Sequence, residues 1–489
     1  MTGLALAFAL SFAASLAVET MPPSLRAFRA PPKALLLRLA VHLALFAALF
    51  ALSWRPWHAA FVVTVTTGLF AAGSNVKQGI LGEPLIFTDA ALVRHAIRHP
   101  RLYYAERLAR PPALAALATL LVATVLWFAI EPSILPRDAP TLVLAPPAIV
   151  LGLWAALGSA PVAAFARSVV ADPADADGDV RRFGLVAALV LHWLAWRSAT
   201  RPSEAAMAAA AALPAPRPAA EGPRVVVAIQ CESFVDIAAR GFDGPPLPAL
   251  DRLRAEALAW GRCRVPAEGA YTMRSEFAFL TGLAPEALGL DAFDPYLTAE
   301  PYLARSLPAL FAASGRATTF LHPYDRRFFD RHLLVPKFGF GRFVHGEAFA
   351  GAARFGPYVA DSVVADALVA EIKAALRPAF LFAVTIENHG PWGPGRLPQT
   401  DDAAAQYALH LANADRMIGR VAEALRALPG GGVLCLYGDH APGLTLHREL
   451  PDRRATDYLL WDSRKVADSP AAPETLDVSD LARRLLAAV

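Results

Sequence analysis

The apolar residues of this chain are unevenly spread, and that asymmetry constrains its fold more than any single motif. Of 489 residues, 55% are hydrophobic, and the mean hydropathy of +0.38 is too high for an ordinary soluble enzyme. The excess lies in the first two hundred residues. A membrane span needs about 20 mostly apolar residues. Six candidates run roughly over 4–18, 35–52, 59–72, 112–130, 142–166 and 183–196, the first, third and last being short. The first reads as a retained helix, since no basic residue precedes it and no small-x-small cleavage pattern follows.

Basic residues gather in alternate connections: Arg26, Arg29, Lys33 and Arg38, then Lys77, Arg94, Arg98, Arg101, Arg107 and Arg110, then Arg167, Arg181 and Arg182. The intervening connections hold little beyond Arg55 and Arg137. Basic loops stay in the cytoplasm. The N-terminus is therefore expected outside, and six spans carry everything after residue 200 across an inner membrane into the periplasm. The loop 75–110 mixes Ile80, Leu81, Leu85, Ile86 and Phe87 with a basic, aromatic end. It reads as an amphipathic segment on anionic headgroups or as a solvated loop with orienting charges. A net charge of only +3, with the basic residues of this half in flanking loops, points to membrane lipids and not to nucleic acid. Three cysteines, Cys231, Cys263 and Cys435, make no disulfide framework; burial as small apolar groups is expected, with a Cys231–Cys435 pair as the alternative.

Residues 201–223 are rich in Ala and Pro, the composition of a semi-rigid spacer. Beyond it, apolar runs at 224–229, 317–321, 379–386 and 432–437 alternate with helix-like segments at 249–258, 275–283, 307–313, 361–376 and 403–428. The alternation predicts an α/β domain over 224–489 with a mainly parallel sheet covered on both faces. Such sheets bind ligands beyond the carboxyl ends of their strands. Glu232, His322, His389, Asp439 and His440 each follow a predicted strand end.

Those residues suggest a chemistry. Glu232 in Cys231-Glu232-Ser233, Asp439-His440 after Gly438, and Thr272 in Gly269-Ala270-Tyr271-Thr272-Met273-Arg274-Ser275-Glu276 can together hold one divalent cation that activates the threonine oxygen. If Ser275 opens the next helix, Thr272 lies near an N-terminus whose dipole favours an anion. Arg331 offers a planar fork for a phosphate. His389 can bind that phosphate or protonate a departing oxygen, and His322 is a further candidate contact. Asp325, Arg326 and Arg327 read as a solvated turn.

With these motifs, residues 224–465 resemble the lipoteichoic acid synthase group of phosphoglycerol transferases, within the alkaline phosphatase and sulfatase superfamily. The resemblance implies that Glu232, Thr272, Asp439 and His440 bind one catalytic metal, typically manganese, with magnesium or zinc as alternatives. It implies that Thr272 is the nucleophile, that Arg331 and His389 engage the phosphoglycerol, and that Phe329 stands beside the headgroup where the family often has tryptophan. Met273-Arg274 after the nucleophile and Ala441-Pro442-Gly443 after the last ligands are closer to a Gram-negative branch, which decorates periplasmic glucans, surface polysaccharides or lipids. The implied reaction moves glycerol phosphate from phosphatidylglycerol to a glycan or lipid acceptor. A phosphoethanolamine transferase, a phosphodiester hydrolase and a non-catalytic sensor are the rivals. No Cys/Ser-x-Pro-x-Arg motif is present to support sulfatase activity; Cys263-Arg264-Val265-Pro266-Ala267 has its proline one place late.

Overall fold

The computed structural model describes residues 2–20, 32–99, 102, 111–134, 139–172, 174–201, 213–303, 305–444, 449–465 and 471–489. They form two compact units, Met1–Thr200 and Arg201–Val489. The basic residues Arg26, Arg29, Arg101, Arg107, Arg110 and Arg137, and residues 202–212 of the spacer, lie outside the described residues.

In the first unit the apolar runs become helices α1 (Thr2–Thr20), α2 (Pro32–Ser53), α3 (Pro56–Leu81), α4 (Asp89–Arg98), α5 (Pro111–Ile130), α6 (Ala139–Gly158), α7 (Ala160–Val169), α8 (Ala176–Phe183) and α9 (Leu185–Arg197). Among the described residues α1, α2, α3 and α5 are long and apolar enough to cross a membrane. The count rises to five if α6 and α7, bent by 55° at their junction, act as one span. The expected six therefore falls to four or five. The fifth run breaks at Gly158-Ser159, where Pro161 restarts a helix. The sixth yields 13 residues in α9, short of the roughly 20 that a span needs. The segment 75–110 is not a simple loop either. Helix α3 runs through it to Leu81 and stops at Gly82, whose φ of 71° ends the helix. Helix α4 follows, and Lys77 is clamped between Glu83 at 3.0 Å and Asp89 at 2.8 Å.

The second unit is an eight-stranded sheet. Its strands are β1 (Val225–Cys231), β2 (Ala259–Arg264), β3 (Ala317–Leu321), β4 (Arg342–Val344), β7 (Ala379–Val384), β8 (Gly432–Gly438), β9 (Ala455–Asp462) and β10 (Glu474–Asp477), with a small hairpin of β5 (Arg354–Phe355) and β6 (Tyr358–Val359) apart from it. The order is β10-β2-β9-β8-β1-β7-β3-β4. Strands β8, β1, β7, β3 and β4 run parallel, and β9 is antiparallel to both β8 and β2. All seven residues of β1 are buried. Val226 and Ala228 enter one apolar core while Val225, Val227 and Ile229 enter the other, as the two-residue period of a strand covered on both faces requires. Strands β2, β9 and β10 escaped the sequence reading because their polar residues break the apolar runs. Cys231 and Cys435 face opposite cores, so no bond joins them, and all three cysteines are free and buried.

Candidate active site

Strand β1 lies between β7 and β8, so the residues just past those three strands converge at one edge. Glu232 follows β1, Asp439 and His440 follow β8, and His389 lies five residues beyond β7. The chain is tight here: a Cβ at Gly438 would lie 2.2 Å from the Phe234 carbonyl oxygen, so only glycine lets the two strand ends meet.

Glu232, Asp439 and His440 are all buried, with one candidate ligand atom from each lying within 4.8 Å of the others. His440 Nε2 is 3.3 Å from Glu232 Oε1 and 3.4 Å from Asp439 Oδ2. His440 Nδ1 lies 3.0 Å from the Ala441 carbonyl. Donating there leaves the Nε2 lone pair facing the carboxylates, the tautomer a metal ligand needs. Asp439 Oδ1 accepts from the backbone N–H groups of Ser233 at 2.7 Å and His440 at 2.9 Å. Its Oδ2 is buried without a hydrogen-bond partner of good geometry. A buried carboxylate oxygen left in that state is costly, and a cation would satisfy it.

The electrostatics agree. Burial, then the Glu232 charge, pushes Asp439 up to about 7. Burial opposes ionisation of Glu232 too, but His389 and His440 overcome it and hold it down at about 2. Burial also disfavours the His440 cation, yet Asp439 and Glu232 raise it to about 9. Protons here do part of the work of a positive ion.

Thr272 opens the helix Thr272–Thr281 itself, three residues earlier than expected, after Tyr271 in the left-handed region at φ 61°. It is 8% exposed and close enough to Asp439 to favour that carboxylate. One turn on, the Ser275 hydroxyl donates to the Asp439 carbonyl at 2.6 Å, tying this helix end to β8. The threonine therefore stands at the positive end of a ten-residue helix.

Arg331 is 1% exposed and is gripped by a residue the sequence reading left without a role. Its Nε donates to Glu276 Oε1 at 3.2 Å and its Nη2 to Glu276 Oε2 at 2.6 Å. The Tyr296 hydroxyl donates to the same carboxylate. Among the described residues Arg331 Nη1 is buried with no hydrogen-bond partner. Phe329 lies beside the guanidinium, 5.3 Å from ring centroid to Cζ. Glu276 was findable: it is four residues after Thr272, on the same helical face. His322 Nδ1 donates to the Val384 carbonyl at 3.0 Å, and its buried Nε2 has no hydrogen-bond partner among the described residues. Burial, helped by Arg331, drops it to about 3, so the ring is neutral. Burial also lowers His389, whose Nδ1 is 2.8 Å from the Gly390 carbonyl.

Among the described residues of this unit, four non-glycine residues have positive φ: Ser233, Tyr271, Phe329 and Asp330. Ser233 follows Glu232, Tyr271 precedes Thr272, and the other two precede Arg331. Such strain concentrates where the backbone is forced to aim a functional side chain.

The family model described as Sulfatase matches residues 224–489, and the chain belongs to the sulfatase family, in the alkaline phosphatase superfamily of metal-dependent enzymes. It is 34% identical over 469 residues to the "Capsular polysaccharide biosynthesis protein RkpI" of Rhizobium meliloti (strain 1021), across 92% of this chain and 86% of that protein. Among solved structures it is similar to the phosphoglycerol transferase GacH of Streptococcus pyogenes in complex with sn-glycerol-1-phosphate, at 20% identity and a TM-score of 0.46 over 59% of this chain and 82% of that one. The lipoteichoic acid synthase LtaP of Listeria monocytogenes gives 16% identity and a TM-score of 0.44 over 57% and 76%. The family name does not make Cys263 a sulfatase nucleophile. That thiol is buried inside β2, and burial pushes it far from ionisation.

Proposed function

We propose that this protein is a membrane-bound phosphoglycerol transferase that moves glycerol phosphate from phosphatidylglycerol to a glycan or lipid acceptor on the outer side of the inner membrane. The observation that carries this reading is Thr272 at a helix N-terminus beside the buried Glu232, Asp439 and His440 set. Glu232, Asp439, His440 and Thr272 would hold one divalent ion, manganese before magnesium or zinc. When bound it supplies positive charge that favours the threonine alkoxide and the phosphate. Arg331, fixed at two nitrogens by Glu276, presents Nη1 to a phosphate oxygen, and the neutral His322 presents Nε2 as an acceptor for a glycerol hydroxyl.

The Thr272 hydroxyl gives up its proton to solvent, its oxygen attacks phosphorus, the bond to diacylglycerol breaks, and the departing oxygen takes a proton from solvent. A glycerophosphothreonine remains. An acceptor hydroxyl then attacks the same phosphorus and Thr272 leaves. His389, kept neutral by burial, suits the removal of the acceptor's proton better than the delivery of one to the diacylglycerol. Both transfers need charge stabilisation and in-line positioning above all.

Full-length protein given phosphatidylglycerol and no acceptor should gain one glycerophosphoryl group on the Thr272 peptide, with diacylglycerol released in step. Thr272→Ala should abolish both. Labelling from phosphatidylethanolamine in place of phosphatidylglycerol would transfer the reading to the phosphoethanolamine rival, and full turnover by Thr272→Ala would end the two-step scheme. With α1, α2, α3 and α5 crossing and the basic segments 26–38 and 77–110 in the cytoplasm, the chain after Ile130 returns to the outer side, which supports the orientation. A periplasm-active reporter should work when fused after residue 210 and be silent near Arg107; the reverse result would put the site in the cytoplasm.

A further inference from the structure

A cleft of about 590 Å³ opens on the second unit, its wall formed by Tyr324, Arg326, Arg327, His345, Arg354 and Tyr358. That volume falls in the range of about 300–1,000 Å³ typical of small-molecule sites. Two aromatic rings join it to the candidate active site. The Tyr358 ring meets His389 edge-on at 5.7 Å, and the Tyr324 ring lies 6.1 Å from His322. The cleft therefore shares two aromatic walls with the histidines that follow β3 and β7.

The charges along the wall are uneven. Arg327 is held by Asp325 at 2.9 Å. Arg354 donates to the Pro357 carbonyl at 2.7 Å and forms no ion pair among the described residues. The exposed Arg326 has no side-chain partner among them. Among the described residues Glu347 is the one further carboxylate on the wall, so three arginines face two acids there, and two of the three form no ion pair with them. Guanidinium forks suit carboxylates and phosphates, while tyrosines offer flat apolar faces with a polar tip.

We propose that this cleft is the acceptor subsite and that it takes an anionic glycan: sugar rings lie on Tyr324 and Tyr358, sugar carboxylates or phosphates pair with Arg326 and Arg354, and the receiving hydroxyl lies beside His389. The assignment rests on the phosphoryl-transfer reading but can fail separately from it. The direct test titrates full-length protein in nanodiscs with hexagalacturonate as an anionic probe and maltohexaose as a neutral one. The anionic chain should bind more tightly, in a salt-sensitive manner, and Arg326→Glu or Arg354→Gln should weaken it by about tenfold. Both variants should still label Thr272 from phosphatidylglycerol without acceptor at the wild-type rate. Equal binding of the two probes, no binding of hexagalacturonate, or unchanged binding by Arg326→Glu overturns the subsite. Loss of Thr272 labelling in the wild type overturns the transferase reading instead, and leaves the binding result standing. Arg326→Glu alters an exposed side chain with no hydrogen bond or ion pair among the described residues and so keeps the test usable if Arg354→Gln unsettles the hairpin.

Discussion

The two units differ in which of their buried ionisable groups are matched. In the first, apolar side chains face outward, with Leu121 65% and Ile130 78% exposed, while its buried charges pair with each other. Arg38 donates to Glu19, whose other oxygen accepts from the Val186 N–H at 3.0 Å, and His192 pairs with Asp179 at 2.8 Å. In the second, two apolar cores enclose the sheet, and one cluster of buried polar groups stands just past the ends of β1, β3, β7 and β8. There the groups are incompletely matched: among the described residues Asp439 Oδ2, His322 Nε2 and Arg331 Nη1 are buried without a hydrogen bond. Closed pairs hold a scaffold together. Open valences in a dry place are where a ligand gains most, because the desolvation has already been met in folding.

That contrast can be broken first at the strand ends. Glu232→Ala, Asp439→Ala and His440→Ala should each strip the bound ion and lower turnover by about 10³-fold or more, while the unit stays folded. Metal analysis of the purified full-length variants beside circular dichroism checks both halves. Undiminished metal in all three would place the ligands elsewhere.

A smaller effect is expected at the Glu276–Arg331 pair beside the open site. Glu276→Ala strands the Arg331 guanidinium, and breaking a buried pair from one side costs about 3–5 kcal/mol. The denaturation midpoint should fall accordingly, and labelling of Thr272 should slow as Arg331 loses its aim. An unchanged midpoint would mean that Arg331 is not held by Glu276.

The smallest effect belongs to the membrane unit. Gly184 has φ +82°, and a Cβ there would lie 2.7 Å from both Arg38 Nε and Glu19 Oε2. Gly184→Ala should destabilise by about 1–3 kcal/mol, read as a lower thermal midpoint in detergent, with Thr272 labelling retained below that midpoint. Equal stability would show that the Glu19–Arg38 pair is loosely held.

The sequence by itself determined the periodic and the local features. Continuous apolar runs specified both the membrane helices and the central parallel strands, because burial on all sides leaves no room for polar residues. Polar residues directly after those runs marked the sheet edge where Glu232, His322, His389, Asp439 and His440 stand. Tertiary structure alone decided how many runs are long enough to span, because a break at Gly158-Ser159 and a start at Gly184 are invisible to average hydropathy. It alone inserted β9 antiparallel beside β8, and it alone brought Glu276 to Arg331, 55 residues away. The cleft around Arg326 and Arg354 is of the same kind. Pairings across the chain depend on which strands lie side by side, and no local window of sequence carries that information.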